Sequence, residues 1–184
     1  MAVALLVRKA LLGWCPPEID QDALAIKWPN DLLMQDGQHH RKVAGILVDN
    51  VWRGSQWNAT VIGIGINVQS RKKSSNHAHN AISLFEGWKC ACSPEEVVRV
   101  VAEKVVREVS QLAVSVDVRQ AYHKCLFGRD EWRTFEIAGV HWQGVLREIT
   151  SHGLGKFEWR PNPENEPQPS TELASSEVNW LFRL

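Results

Sequence analysis

The chain has 184 residues, of which 44% are hydrophobic and 23% charged. At roughly 150 residues per domain, this length accommodates one ordinary domain, or one domain with a small appendage. The composition is typical of a globular protein and excludes wholesale disorder. Because 21 basic residues balance 21 acidic ones, no net charge indicates a nucleic-acid partner.

The ends of the chain and its cysteines indicate where the protein works. The apolar segment 1–7 is followed, rather than preceded, by Arg8 and Lys9, unlike a secretory signal. No stretch approaches the roughly 20 apolar residues of a membrane span. Four cysteines are too few for a secreted disulfide scaffold. We therefore expect a cytoplasmic protein that has no membrane partner.

The first part of the chain predicts a helix followed by strands. Residues 2–13 place apolar side chains on one face of an amphipathic helix that Gly13 ends. Short apolar runs separated by turn residues then predict mostly antiparallel strands, and Asp36-Gly37 is typical of a hairpin turn. The predicted strands are Leu24–Trp28, Leu32–Gln35, Val43–Trp52 and Trp57–Val68.

The second part predicts two helices and then several short strands. Ser93-Pro94-Glu95-Glu96 is typical of a helix start, and this helix should run to about Ala113. Its expected buried face is Val97, Val98, Val101, Val105, Val109 and Leu112. A shorter helix over Val118–Phe127 follows. The strand candidates after it are Trp132–Ile137, Val140–Ile149, Leu154–Trp159, Thr171–Ala174 and Val178–Phe182, with a loop at Pro161–Pro169.

The short strands at the C-terminal end predict a small antiparallel barrel or sandwich. Tryptophans at Trp132, Trp142, Trp159 and Trp180 are spread one to a strand, which favours a core built from large aromatic rings. An exposed tryptophan cluster that binds a partner is the alternative.

Three segments carry the features of a binding surface. They are Lys27-Trp28-Pro29-Asn30-Asp31, Arg41-Lys42-Val43-Ala44-Gly45-Ile46-Leu47-Val48 and Gly63-Ile64-Gly65-Ile66-Asn67-Val68. Alternate residues of a strand point the same way, so Gly63 and Gly65 leave one face bare, and Asn67 shares their parity. Taken singly, each segment also fits an ordinary role as a strand-edge charge, a turn or a bulge.

Together and in this order, the three segments closely resemble the catalytic domain of biotin protein ligases. The resemblance covers residues 1–68, resumes at 80–84 and continues weakly to the C-terminus. It implies an α+β fold in which helices flank a mixed or antiparallel sheet, as in class II aminoacyl-tRNA synthetases, followed by a small C-terminal β-barrel. We expect domains at 1–130 and 131–184. Lipoate ligases share the fold group, but the Trp-Pro-Asn-Asp form points to biotin.

The resemblance also implies a reaction. Biotin and ATP, with Mg²⁺, would form biotinyl-5′-adenylate, and biotin would then pass to a lysine of a biotin carboxyl carrier protein. Lys42 would be the catalytic cation that bridges the biotin carboxylate and the phosphate. The resemblance implies substrate or adenylate binding by Asn30, Lys42, Gly45, Ile46, Gly63, Gly65 and Asn67, and supporting roles for Lys27, Asp31 and Ala44. It names no residue of this chain as a metal ligand.

Three features of the family do not occur in the sequence. Family members carry a Gly-Arg-Gly-Arg-x-Gly-type loop upstream of the matched region, together with a Ser/Thr-Asn segment and a Gln that contact biotin. We therefore expect the chain to be the C-terminal two-thirds of such an enzyme, which leaves its activity alone in question. Exposed apolar sheet surface should then promote self-association or homodimers. The alternatives are a non-catalytic module for carrier binding or dimerisation and, less favoured, a lipoate ligase.

The polar segment 69–80 predicts a surface loop, which by family analogy would close over bound adenylate. His77-x-His79 and Cys90-x-Cys92 bring together metal-ligating residue types. Their spacing differs from that of common zinc sites, so an exposed loop is favoured over a zinc site. His39 and His40 are expected in a hairpin loop without a chemical role.

Overall fold

The structure is a computed structural model that describes residues 1–69, 81–113, 117–160 and 167–181. The described chain is an α+β protein with two antiparallel sheets. Its helices are α1 (Ala2–Leu11), α2 (Leu84–Trp88), α3 (Pro94–Ala113) and α4 (Val118–Lys124). Its strands are β1 (Leu24–Lys27), β2 (Asp31–Asp36), β3 (His39–Arg53), β4 (Gln56–Ile66), β5 (Trp132–Ile137), β6 (Val140–Ile149), β7 (Gly155–Arg160), β8 (Gln168–Leu173) and β9 (Asn179–Trp180).

The first sheet is a meander in the order β1-β2-β3-β4, so all four strands predicted in this region are confirmed. The Asp36-Gly37 turn is confirmed as well, and Gly37 adopts the positive φ of +63° that favours glycine at such a turn. β3 begins earlier than predicted, because His39 and His40 pair with β2. The two histidines therefore lie in a strand, and the expectation of a loop there is wrong.

Helix α1 lies against this sheet and against α3. Its apolar stripe is buried, with Leu6 2% and Val7 0% exposed. On α3 the buried stripe follows a spacing of four residues through Val97, Val101 and Val105. Val98 is one residue out of that spacing, about 100° around the helix, and 65% of it is exposed. Its predicted place in the buried face is wrong for this reason.

The second sheet has the order β8-β7-β6-β5-β9. Within the described residues its edge strands β8 and β9 do not pair, so the strands form an open sheet and not the predicted closed barrel. β9 is only two residues long, too short to continue the hydrogen-bonding ladder around a barrel. Residues 161–166 of the predicted loop lie outside the described residues, while Gln168 and Pro169 belong to β8.

The core of the second sheet is aromatic, as predicted. Phe135 and Phe157 are fully buried and Trp159 is 5% exposed. Their rings lie 4.8 to 5.5 Å apart, centroid to centroid, a distance typical of favourable aromatic pairs. Trp142 and Trp180 are half-buried and pack against the core. Trp132 lies three residues before Phe135 in β5 and therefore faces the other side of the sheet, where Arg160 lies over its ring, so its predicted place in the core is wrong. No helix in the part of the chain that the structure describes is both long and apolar enough to cross a membrane.

Candidate functional site

A short turn between β1 and β2 forms one side of the candidate site. Lys27 and Asp31 face each other where the two strands begin to pair, and residues 28–30 connect them through a cis Trp28–Pro29 peptide. The backbone N–H of Ile46 donates to the carbonyl of Asn30 at 2.8 Å, which fixes the turn to β3. The turn therefore presents Asp31 to the middle of β3.

A β-bulge determines the direction of Lys42. Leu32 pairs with Ala44 but Leu33 pairs with Lys42, so Val43 is an extra residue in β3. Side chains alternate in a regular strand, yet Val43 and Ala44 are both buried, at 0% and 2% exposure. The bulge shifts the alternation by one residue, and Lys42 consequently lies on the same side of the sheet as Gly45.

The ammonium group of Lys42 lies over Gly45 and pairs with a carboxylate. Its Nζ is 2.6 Å from Oδ1 of Asp31, and 46% of the Lys42 side chain is exposed. A Cβ at position 45 would lie 3.0 Å from this Nζ and 3.4 Å from Oδ1 of Asp31. Gly45 therefore provides the space that the ion pair occupies, and the pair remains accessible to solvent.

A strip of glycines continues from this ion pair across the sheet. Gly45 pairs with Gly65, and Gly63 pairs with Leu47, so all three glycines lie on one face. An added Cβ at Gly63 or Gly65 would be 3.8 Å or more from any neighbour, which leaves the backbone of β4 open on this side. We refer to Gly45, Gly63 and Gly65 as the glycine strip; a flat group could lie on it beside the Lys42 ammonium.

Asn67 lies at the end of the glycine strip and holds the backbone of Lys42. Its Nδ2 donates to the Lys42 carbonyl at 3.2 Å, and its backbone N–H donates to the carbonyl of Val43 at 2.8 Å. Ile82 also donates to the Lys42 carbonyl, at 2.9 Å. These contacts fix the strand at the point where the bulge turns Lys42 outward.

Three other sequence-predicted residues lie away from the glycine strip. Ala44 and Ile46 have the opposite parity to Gly45 and are 2% and 5% exposed, so only their backbone faces the strip. Asn30 and Ile46 instead line a groove of about 840 Å³ beside the N-terminal end of α1, which Leu47, opposite Gly63, also lines. The structure thus brings Asp31, Lys42 and the glycine strip together and places the side chains of Asn30, Ala44 and Ile46 elsewhere.

Lys27 gives the site a second ammonium group. Burial lowers the pKa of Lys27 and the charge of Lys42 acts in the same direction, whereas Asp31 opposes both. Its Nζ is 5.9 Å from the centroid of the Trp180 ring. Two ammonium groups around one carboxylate carry a net positive charge, so the cluster is suited to attract an anion.

Sequence reasoning missed two contacts that fix the turn from outside the first sheet. The hydroxyl of Tyr122 on α4 donates to the carbonyl of Pro29 at 3.2 Å. The indole Nε1 of Trp28 donates to the carbonyl of Gly153, in the connection between β6 and β7, at 3.0 Å. The only sequence signal was that Tyr122 is the sole tyrosine in the chain, which by itself predicts no partner.

Metal-ligating residue types do not converge near this site. In the described ranges, no group of three or more His, Cys, Asp or Glu side chains could hold a metal ion. His77 and His79 of the zinc alternative lie outside the described residues. Cys90 and Cys92 are free, as are Cys15 and Cys125, and burial raises the pKa of the Cys92 thiol to about 11.

Comparison with known sequences identifies relatives of the first part of the chain. Residues 1–67 match the model of the biotin/lipoate A/B protein ligase family. A biotin–[acetyl-CoA-carboxylase] ligase of Paracoccus denitrificans is 35% identical over 92 residues, which are 48% of this chain and 37% of that protein. The bifunctional ligase/repressor BirA of Escherichia coli is 42% identical over 55 residues, 30% of this chain and 16% of that protein. The chain therefore matches well under two thirds of the length of these curated relatives.

Solved structures share the fold over almost the whole chain. The apo biotin protein ligase of Aquifex aeolicus superimposes with a TM-score of 0.71 at 20% identity, covering 99% of this chain and 73% of that one. Its complex with biotin and ATP gives 0.69 at 21% identity, covering 97% and 68%. At these identities the likeness shows the fold alone. The matched segment 1–67 contains the turn, the Lys42 strand and the glycine strip, so the part of the chain that carries the candidate site is similar to the biotin/lipoate A/B protein ligase family.

Proposed function

We propose that the protein activates biotin with ATP and transfers it to a lysine of a carrier protein. The observation that carries this proposal is the Lys42 ammonium, which the bulge turns outward and Asp31 holds over Gly45, beside the open glycine strip. A cation beside open backbone can bind two anionic groups, a carboxylate and a phosphate, that must come together to react. Biotin and ATP bound to a biotin protein ligase of the same fold support the choice of substrate.

The first step would join the biotin carboxylate to ATP. A carboxylate oxygen attacks the α-phosphorus, a P–O bond forms, and the bond to pyrophosphate breaks. Two anions repel each other at this point, and a fixed cation lowers that repulsion most where the charge develops. The Lys42 ammonium has three N–H donors, so it can donate to the carboxylate and the phosphate while Asp31 keeps it oriented. Mg²⁺ would arrive as the counter-ion of ATP.

The second step would transfer biotin to the carrier. The neutral amine of a carrier lysine attacks the carbonyl carbon of the mixed anhydride, an amide forms, and AMP leaves. Solvent reaches the Lys42 side chain, which is 46% exposed, so a carrier side chain could approach from the same direction. A cytoplasmic location fits the four free cysteines.

Biotin-dependent exchange of labelled pyrophosphate into ATP tests the first step. We expect exchange by the wild-type protein and a loss of about a hundredfold or more in Lys42→Gln, which keeps the length of the side chain and removes its charge. Lys124→Gln on α4 is the matched control and should exchange at the wild-type rate. Wild-type protein without biotin-dependent exchange, or Lys42→Gln with undiminished exchange, would refute the proposal.

The second step requires its own assay. Wild-type protein, biotin and ATP are incubated with a biotin carboxyl carrier domain, and the product is detected with streptavidin. We expect labelling that disappears when the acceptor lysine of the carrier is changed to arginine. Because the matched family also covers lipoate ligases, lipoate is offered in parallel, and preferred turnover of lipoate would reassign the substrate.

A non-catalytic role in carrier binding is the second candidate, and one observation favours it. The long β3–β4 hairpin exposes large apolar side chains, with Leu47 and Trp52 each 60% and Val61 59% exposed. Contiguous exposed apolar surface is typical of protein–protein contacts. Measurable carrier binding by a protein that shows no pyrophosphate exchange would support this role over catalysis.

A further inference from the structure

The turn that carries Asp31 is attached to three separate parts of the fold. The carbonyl of Asn30 accepts from β3 at 2.8 Å, and the carbonyl of Pro29 accepts from Tyr122 on α4 at 3.2 Å. The indole of Trp28 donates to the carbonyl of Gly153, in the β6–β7 connection of the second sheet, at 3.0 Å. Consecutive residues are therefore each fixed by a different element, immediately before Asp31.

Packing around Trp28 shows that the second sheet is shaped to receive it. Trp28 is 3% exposed, and its ring meets Phe157 edge-on with centroids 6.0 Å apart. A Cβ at position 155 would lie 3.2 Å from the Trp28 ring and 2.6 Å from the ring of Phe157. Gly155 thus leaves the space into which the indole inserts, with its N–H directed at Gly153.

Tyr122 supports the turn from the other side. It is 1% exposed, and burial raises its pKa, so its hydroxyl remains a proton donor at working pH. A buried hydroxyl without an acceptor is costly, and the Pro29 carbonyl supplies the acceptor. The hydrogen bond therefore favours one position of the turn over others.

We propose that Trp28 and Tyr122 are positioning residues that act on Lys42 through Asp31. In this arrangement the second sheet and α4 fix the position of the turn, and the turn fixes the position of Asp31. Asp31 in turn holds the Lys42 ammonium at 2.6 Å. The inference deepens the proposed function, since Lys42 is the cation assigned to the reaction. It assigns the second sheet a part in the site although none of its side chains contacts Lys42 in the described contacts.

The reactivity of Lys42 tests this proposal without relying on catalysis. Limited acylation of the whole protein, read by mass spectrometry, compares Lys42 with the exposed Lys124 in the same sample. The Asp31 partner slows acylation because the ammonium must leave it to react. We expect Trp28→Phe and Tyr122→Phe each to raise Lys42 acylation about three- to tenfold, with Lys124 unchanged, as for loss of a hydrogen bond. Trp57→Phe is the control, because it removes an indole bond of similar length, to Thr60 at 3.1 Å, that involves neither the turn nor Asp31.

A double-variant comparison separates positioning from general loosening. In an Asp31→Asn background the ion pair is already gone, so Trp28→Phe should change Lys42 acylation no further. Unchanged acylation in both folded single variants, or an undiminished increase in the Asp31→Asn background, would overturn the proposal. Circular dichroism checks the fold, and Tyr122→Phe, which removes one atom, remains testable should Trp28→Phe unfold.

Kinetics then distinguish this proposal from the proposed function. Both single variants should lower kcat for pyrophosphate exchange about tenfold and leave the KM for biotin within about twofold, because the ammonium is misplaced while the binding surface is kept. Wild-type protein without exchange refutes the proposed function, and the acylation result still decides the positioning role. A rise in KM with unchanged kcat would assign Trp28 and Tyr122 to binding and contradict positioning.

Discussion

Replacing Gly65 with alanine is expected to preserve the fold and to weaken ligand binding. An added Cβ at position 65 would be 3.9 Å from its nearest neighbour, the carbonyl oxygen of Gly45, which is ordinary van der Waals contact. The backbone of Gly65 does not adopt a positive φ. An alanine that fits without strain restricts the unfolded chain, so the free energy of unfolding should rise by about 0.5 kcal/mol.

The same methyl group occupies the space in which we expect a ligand to lie. It would stand about 1.5 Å above the backbone of β4, so a group resting on the glycine strip must move by a similar distance. Displacement of about 1 Å at a reacting centre costs on the order of a hundredfold in rate. We therefore expect pyrophosphate exchange to fall about 10- to 100-fold in a protein that is slightly more stable.

The assay pairs urea unfolding with calorimetric titration of biotin and ATP. Gly13→Ala is the matched control, because nothing lies within 4 Å of its added Cβ and it is outside the site. It should show a comparable small change in stability and unchanged exchange. A Gly65→Ala protein that binds and exchanges like the wild type would show that no ligand contacts the glycine strip. A loss of more than about 1 kcal/mol in the free energy of unfolding would contradict the open space that the structure shows around Gly65.

Three further outcomes follow from the structure. Gly45→Ala places a methyl 3.0 Å from the Nζ of Lys42, at the end of a long side chain that can shift, so pyrophosphate exchange should fall about tenfold while the free energy of unfolding in urea changes by less than about 1 kcal/mol; a normal exchange rate would contradict this. Burial lowers the pKa of His123 from 6.5, and its Nε2 accepts from the N–H of Ile149 at 2.9 Å, so the unfolded chain binds the extra proton first and the free energy of unfolding should drop as pH falls below about 6.5. His123→Gln should flatten that pH dependence, and an unchanged slope would assign it to another group. Val61→Lys, on the exposed edge strand β4, should reduce self-association in sedimentation velocity, whereas a wild-type protein that is already monomeric would refute the expected association.

The first sheet could be predicted from the sequence because the residues that determine its strands and turns lie close together in the chain. Apolar runs of strand length alternate with turn residues between 23 and 68, and the Asp36-Gly37 turn fixes one hairpin. The parity argument for Gly63 and Gly65 also held, because β4 is regular and pairs with β3 without interruption at these residues. Such periodic patterns need no knowledge of distant residues.

The position of Lys42 could not be predicted in the same way. A regular β3 would place Lys42 on the same face as Ala44 and Ile46, which are buried. The extra residue at Val43 reverses that parity, but nothing in the local sequence distinguishes a bulge from a continuous strand. The resemblance to biotin protein ligases predicted a role for Lys42. The structure explains, through the bulge, why its charged group lies over Gly45.

The contacts that hold the turn depend on residues far apart in the chain. Trp28 and its acceptor Gly153 are separated by 125 positions, and Tyr122 lies 93 positions from Pro29. A buried indole and a buried hydroxyl each require an acceptor, yet the sequence predicts only the need and not the partner. The turn therefore connects the two sheets immediately before Asp31, the first residue of β2. A change in the second sheet should consequently appear first as a change in the contact between Asp31 and Lys42.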